Sequence, residues 1–225
     1  VEDLKKYFNT VGQDSDDIIK EASDITGCLN DLRQIYATGG FKTHFEQIDN
    51  CIRRVEKKQV VVIGAYSGVG KSDIAIEYML RAVCQNGMKV LFFSLEMPKG
   101  KLIERCVAKL IGCSMSEVEG YIRSSDTAVQ DIVTKLQNHL LVFDNNNYTM
   151  KDIEKRIQLV NTKNLMDGPV DMVFVDYFGY LKGTSDFEGA SASATKMKAI
   201  AKDNNLIFVM LSQLNRGGNP YGEPN

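Results

Sequence analysis

Residues 60–72 read Val-Val-Val-Ile-Gly-Ala-Tyr-Ser-Gly-Val-Gly-Lys-Ser, and no other stretch limits the possible folds so tightly. An apolar run, Val60–Gly64, passes into a glycine-bearing loop and then into a helix starting near Lys71. Strand, loop and helix in that order build an anion site. The backbone N–H groups of Gly68, Val69, Gly70 and Lys71, with Ser67 completing the loop, can wrap a triphosphate, and the helix N-terminus adds its partial positive charge. Lys71 reaches the β- and γ-phosphates, and the Ser72 hydroxyl is a ligand for Mg²⁺. The pattern G-x-x-x-x-G-K-[ST] departs at one position, because its first glycine falls on Ala65, one residue after Gly64. A tight turn accepts alanine where φ is negative.

The rest of the chain from about residue 58 alternates short apolar runs with helical stretches. Lys89–Ser94, His139–Phe143, Asp171–Val175 and Leu206–Leu211 join the first run as five predicted strands. Between them, Ala75, Ile76, Met79, Leu80 and Val83 mark one helix, and Leu102, Ile103, Cys106, Val107, Leu110 and Ile111 mark another. Pro98 suits the first turn of the second helix. Ser114-x-x-Glu117 and Thr149-x-x-Asp152 have the spacing of helix starts, and a last helix is expected around Thr195–Lys202. Strands so uniformly apolar are expected to be buried on both faces, the mark of a parallel sheet covered by helices on each side.

Residues 1–38 follow a different rule. Ile18, Ala22, Ile25, Leu29, Leu32 and Tyr36 step by 4, 3, 4, 3 and 4, the seam of an amphipathic helix. Ser15 or Asp14 could cap it and Gly39-Gly40 stop it. The seam suits either an ordinary helix packed on its own domain or a docking helix that lies on a neighbour.

Composition narrows the function classes. Lys plus Arg total 27 against 29 Asp plus Glu, for a formal charge of −2, so any grip on nucleic acid must come from a local stripe or from several chains together. Five scattered cysteines form no C-x-x-C pair, and two histidines supply no metal cluster. The cysteines read as buried thiols of a reducing cytoplasm. No apolar run approaches the roughly 18–20 residues of a membrane span, and no export signal opens the chain.

Three further strand ends carry chemistry. Val173-Phe-Val-Asp176 is an apolar strand ending in a carboxylate suited to the Mg²⁺ shell. Phe92-Phe-Ser-Leu-Glu96 places Glu96 where it could polarise an attacking water. Leu211-Ser-Gln213 sets a neutral amide where a γ-phosphate could be sensed. In an open parallel sheet all of these ends share one edge, the edge that binds ligands, and together they point to hydrolysis of a nucleoside triphosphate.

With these motifs assembled, the chain resembles the ATPase domain of DnaB-type replicative helicases, within the RecA-like P-loop fold. The resemblance is carried by Gly40-Phe-Lys-Thr-His-Phe-Glu-Gln-Ile-Asp49, Val62–Ser72, Phe93-Ser-Leu-Glu-Met-Pro98 with Arg105 seven residues on, Val175-Asp-Tyr-Phe-Gly-Tyr-Leu181 and Leu211-Ser-Gln-Leu-Asn-Arg216. It covers about residues 39–218. It implies ATP and Mg²⁺ as cofactors, Glu96 as catalytic base, Asp176 for Mg²⁺ and Gln213 as the residue linked to the γ-phosphate. It also implies a homo-oligomer, expected to be a hexameric ring, that translocates on single-stranded DNA, with a primase and a helicase loader as candidate partners in the cytoplasm. Residues 1–39 then match a linker helix docking on the adjacent subunit, and residues 40–225 the ATPase domain.

The likeness has its departures. The family's arginine finger and last strands lie beyond Ser-Gln-Leu-x-Arg, so the domain reads as lacking its C-terminal part, and Gly183–Thr195 is a few residues shorter than usual. Lys182, Lys196 and Lys198 are candidates for a DNA-lining set in a central channel, against a plainer reading as a solvated helix face. A RecA/RadA-like filament-forming recombinase ATPase and a nucleotide-binding adaptor without turnover are the alternatives.

Overall fold

The computed structural model describes residues 25–38, 41–43, 45–52 and 54–214. The chain separates into two units, Val1–Gly40 and Phe41–Asn225. In the first, helix α1 spans Ile25–Thr38. Its seam residues Leu29, Leu32 and Tyr36 are exposed, whereas Ile18, Ala22, the proposed caps Asp14 and Ser15, and the Gly39-Gly40 stop lie outside the described residues.

The second unit begins with an antiparallel bridge between Phe41 and Val55 around α2 (Glu46–Ile52). There follow β1 (Val60–Ala65), α3 (Lys71–Asn86), β2 (Val90–Ser94), α4 (Lys99–Ile111), α5 (Val118–Arg123) and α6 (Thr127–Gln137). The chain continues through β3 (Leu140–Phe143), α7 (Met150–Thr162), β4 (Met172–Asp176), α8 (Phe187–Asp203) and β5 (Ile207–Gln213). The five strands form one sheet in the order β1-β5-β4-β2-β3, parallel throughout. This is the expected architecture: a parallel sheet with helices on both faces.

Strand alternation decides which residues meet which helices, because successive side chains point to opposite faces. On one face Phe92, Phe174 and Val209 join Ile76 and Met79 of α3 and Leu102 and Cys106 of α4. On the other, Phe93, Val173, Val175, Phe208 and Met210 join Ile153 and Ile157 of α7 and Ile200 of α8. β2 and β4 are wholly buried. The sheet edges depart from the expectation of burial on both faces. Among the described residues β1 pairs only with β5, and Val62 is 61% exposed; β3 pairs only with β2 and is half-buried along Leu141–Phe143. Covering helices protect the middle of a sheet first, and a hydrophobic sequence run does not reveal that its strand lies at the rim.

Two helix starts also differ from expectation. Thr149 and Asp152 do form a reciprocal cap: the Asp152 N–H donates to Thr149 Oγ1 at 3.2 Å, and Asp152 Oδ2 accepts from the Thr149 N–H at 3.0 Å. Glu117 instead closes a turn, its Oε2 accepting from the N–H and hydroxyl of Ser114 at 2.8 and 2.6 Å, and α5 begins only at Val118. Those bonds hold the Glu117 carboxyl below the usual carboxylate range. The last helix is longer than its apolar spacing suggests, starting at Phe187, where the Asp186 carboxylate caps the Gly189 N–H. Its first two turns are rich in Gly, Ala and Ser, which carry no apolar stripe. Pro98 stands just before α4 and its carbonyl accepts from Lys101 and Leu102. All five cysteines are free, but Cys28 and Cys51 are exposed rather than buried. Cys106 alone is fully enclosed, its thiol pushed up to about 12 by burial.

Phe174 sits at the centre of the sheet, stacked on Phe92 at 5.5 Å and edge-on to Tyr78 at 5.7 Å between ring centroids. The cavity left by Phe174→Ala is expected to cost about 3–5 kcal/mol, measured as a lower urea midpoint with an unchanged m-value; a loss under 1 kcal/mol would mean that this ring does not organise the core.

Candidate nucleotide site

Because every strand runs the same way, Ala65, Ser94, Asp176 and Gln213 arrive together at the carboxyl edge. The register is explicit: Ala65 lies opposite Gln213, and Ser94 opposite Asp176. Ala65 still belongs to β1, and its carbonyl accepts from the Leu214 N–H at 2.9 Å. The alanine at the first motif position therefore has strand geometry, and no glycine is needed there. Turning falls to Gly68 and Gly70, with φ of 81° and 91°, values in the left-handed region that side chains rarely tolerate. Gly70 ends the loop, its carbonyl accepting from the Ile74 N–H in the first turn of α3.

Ser67, Gly68, Gly70, Lys71, Ser72, Glu96 and Gln213 line a single cleft of ≈ 400 Å³. Val69 is at the exposed loop apex, and Asp176 lies buried at the end of β4, 1% exposed. Sequence reading missed Tyr66, Asp73 and Met97 as further lining residues, and named Arg105 without a place in the site. Arg105 Nη1 stands 3.7 Å from Asp73 Oδ1, and Lys109 Nζ 3.9 Å from the same oxygen. An i, i+4 relation between Arg105 and Lys109, facing the first turn of α3 across the helix pair, was the available signal.

Two main-chain bonds tie Glu96 to the end of β4. The Asp176 carbonyl accepts from the Leu95 N–H at 2.7 Å and from the Glu96 N–H at 3.2 Å. The Ser94 hydroxyl donates to the Met97 carbonyl at 2.7 Å, which bends the chain off the strand. The Glu96 side chain is left exposed at the cleft.

Asp176 is the electrostatic anomaly. Both carboxylate oxygens are buried and neither has a hydrogen-bond partner. Burial pushes the carboxyl up from its ordinary value; the Ser72 hydroxyl and the Lys71 charge lie near enough to oppose the shift, Ser72 without reaching bonding geometry. A buried charge is ordinarily paired. A hard cation meets this need with oxygen ligands, and Ser72 stands beside Asp176 as a second donor; Mg²⁺ usually takes only one or two protein oxygens, its other ligands being waters and phosphate. Among the described residues no cluster of three His, Cys, Asp or Glu forms a self-contained metal site, so the donors fit a cation shared with a phosphate.

A parallel sheet with this loop at its carboxyl edge defines a nucleotide-binding domain of the RecA-like P-loop class. Comparison with known proteins narrows the class. Residues 40–220 match the family described as DnaB-like helicase C terminal domain. The chain is 28% identical over 190 residues to a probable plasmid replicative DNA helicase of Chlamydia muridarum, covering 79% of this chain and 40% of that protein. It is 24% identical over 197 residues to the replicative DNA helicase DnaB of Haemophilus influenzae, covering 84% and 42%. It thus spans about two fifths of the length of these curated relatives. The solved structure described as "ATPase Domain of G40P" superposes with a TM-score of 0.73 at 19% identity, over 87% of this chain and 72% of that one. A DnaB-like replicative helicase, solved in a study of its interactions with primase, superposes with a TM-score of 0.70 at 20% identity, over 87% and 49%. The chain belongs to the DnaB-like helicase C-terminal domain family.

The burial of Asp176 has a stability consequence. An ordinary aspartate ionises near pH 4; here the folded value is raised, so stability is lost as pH rises from the ordinary value through the folded one. Asp176→Asn should therefore raise the Tm of the nucleotide-free protein at neutral pH, by about 2–4 °C for each kcal/mol relieved, with no gain below about pH 4. A lower Tm at pH 7 would show that the carboxylate is already compensated.

Proposed function

We propose that this domain is the ATP-hydrolysing motor of a replicative DNA helicase. The observation that carries the reading is the unpartnered Asp176 carboxylate beside Ser72, with Glu96 bonded through its main chain to the same strand end. Gly68, Val69, Gly70 and Lys71, with Ser67, cradle the phosphates through backbone N–H groups, and the Lys71 amine neutralises the β/γ-phosphate charge. Ser72 and Asp176 would hold Mg²⁺, which when bound supplies charge neutralisation at the transferring phosphoryl group. Glu96, exposed on the cleft, orients and deprotonates the attacking water, while Gln213, opposite Ala65 on β5, touches the γ-phosphate and reports its loss along the strand.

The proposal includes assembly into a hexameric ring on single-stranded DNA, with an arginine contributed by the adjacent subunit, and family membership supports it. The exposed seam of Leu29, Leu32 and Tyr36 supports a docking role for α1. Of the lysines considered for DNA, Lys196 is paired with Glu154 at 2.8 Å, which favours the helix-face reading for it; Lys182 and Lys198 are exposed. A primase is the partner best supported, since one fold neighbour was solved in a study of that interaction.

Steady-state hydrolysis by the full-length protein tests this reading. Lys71→Ala should abolish tight nucleotide binding, and Glu96→Gln should keep binding and lose at least about 100-fold in turnover, as removal of a positioned base does. Single-stranded DNA should stimulate the wild-type rate, and the stimulation should fall steeply with salt. Equal binding loss in both variants, or a salt-independent stimulation, contradicts the assignment.

A further inference from the structure

The Lys71 amine has a neighbour that the phosphate site itself does not account for. Lys71 is only 7% exposed, and among the described residues no ion pair joins it to a carboxylate. Its charge is felt by the Asp176 carboxylate, but no hydrogen bond joins that carboxylate to the amine or fixes its position. What it does have is the face of Tyr177, with Nζ 4.1 Å from the ring centroid.

The ring is held in place by two features of the turn after β4. Tyr180 meets it edge-on at 4.6 Å between centroids. Gly179 lies against its side: a Cβ added there would come within 2.6 Å of Tyr177 Cε2 and 3.4 Å of Cδ2 and Cζ. The turn is itself fixed, the Tyr180 N–H donating to the Tyr177 carbonyl at 3.1 Å. Tyr177 directly follows Asp176, so one strand end delivers both the carboxylate and the aromatic face.

We infer that Tyr177 is a positioning residue for Lys71, its ring holding the charged amine at the mouth of the loop before a phosphate arrives. The inference rests on the nucleotide-site reading above. An aromatic face suits this task better than a carboxylate would. It attracts a cation through its quadrupole without occupying the amine's hydrogen-bond donors, so phosphate oxygens can join the amine while the ring stays against it. The lysine is oriented in advance, and the cost of ordering it does not fall on the binding step.

Affinity of the full-length protein for a slowly hydrolysed Mg·ATP analogue, measured by calorimetry across substitutions at position 177, tests this. Tyr177→Phe keeps the ring and should stay within about two-fold of wild type, whereas Tyr177→Leu should weaken binding about five- to ten-fold. Mono-, di- and trifluorinated phenylalanines at the same position keep the shape and drain the ring face, and should weaken binding in steps. Gly179→Ala, which displaces the ring without removing it, should shift affinity in the same direction. The rate at saturating nucleotide should hold in Tyr177→Leu, so that KM moves and kcat does not. A flat response to fluorination, or tighter binding by Tyr177→Leu, overturns the inference while leaving the site reading standing. Undiminished binding by Lys71→Ala alone overturns the site reading and the inference with it.

Discussion

The buried pairing of β4 between β5 and β2 is the constraint on which the rest depends. Met172–Asp176 is enclosed from end to end, and its parallel neighbours fix where each strand stops. Asp176 is thereby carried into the interior with both oxygens unpaired, Glu96 is tethered to its carbonyl, and Tyr177 is set against Lys71. Such an arrangement opposes folding. It persists because two layers of apolar side chains, around Phe174 on one face and Val173 and Val175 on the other, stabilise the strand that bears it.

The site is therefore strained by charge, whereas the carboxylates at the helix ends are satisfied locally. Thr149 and Asp152, Ser114 and Glu117, and Asp186 with the Gly189 N–H all meet local needs at helix ends. Asp176 does not, and on the proposed reading it is the group that serves a ligand. A cation shared with phosphate would supply the missing counter-charge, so binding and local stabilisation become one event.

Much of this was legible in the sequence, for identifiable reasons. Strand ends were readable because apolar runs stop at Ala65, Ser94, Asp176 and Gln213 with chemistry-bearing residues at or just beyond them, and a parallel sheet brings such ends together without further information. The loop was readable because glycine is the residue best suited to the positive φ at positions 68 and 70. Less visible were features that depend on neighbours distant in sequence. Val62 looks like any core valine, yet among the described residues β1 has β5 as its one partner and Val62 is exposed, and the early turns of α8 lack apolar spacing. Tyr177 reads as one more aromatic after a strand; its place over Lys71 arises from a contact across 106 positions of chain, the difference between 177 and 71. Arg105 and Asp73 meet only because α4 lies against α3. Residues 1–24 stand outside the described part, so the seam is represented by Leu29, Leu32 and Tyr36.

The central claim is that the carboxyl edge is a site for a magnesium nucleotide, with the glycine loop and Asp176 acting as one unit. Hydrogen exchange of the backbone amides of residues 66–72, followed with and without a slowly hydrolysed Mg·ATP analogue, tests it most directly. The account predicts slowed exchange at Gly68 to Ser72 that requires both magnesium and nucleotide, and that largely disappears in Asp176→Asn. Unchanged exchange across the loop at saturating nucleotide, or protection confined to a segment remote from β1 and β4, would contradict it.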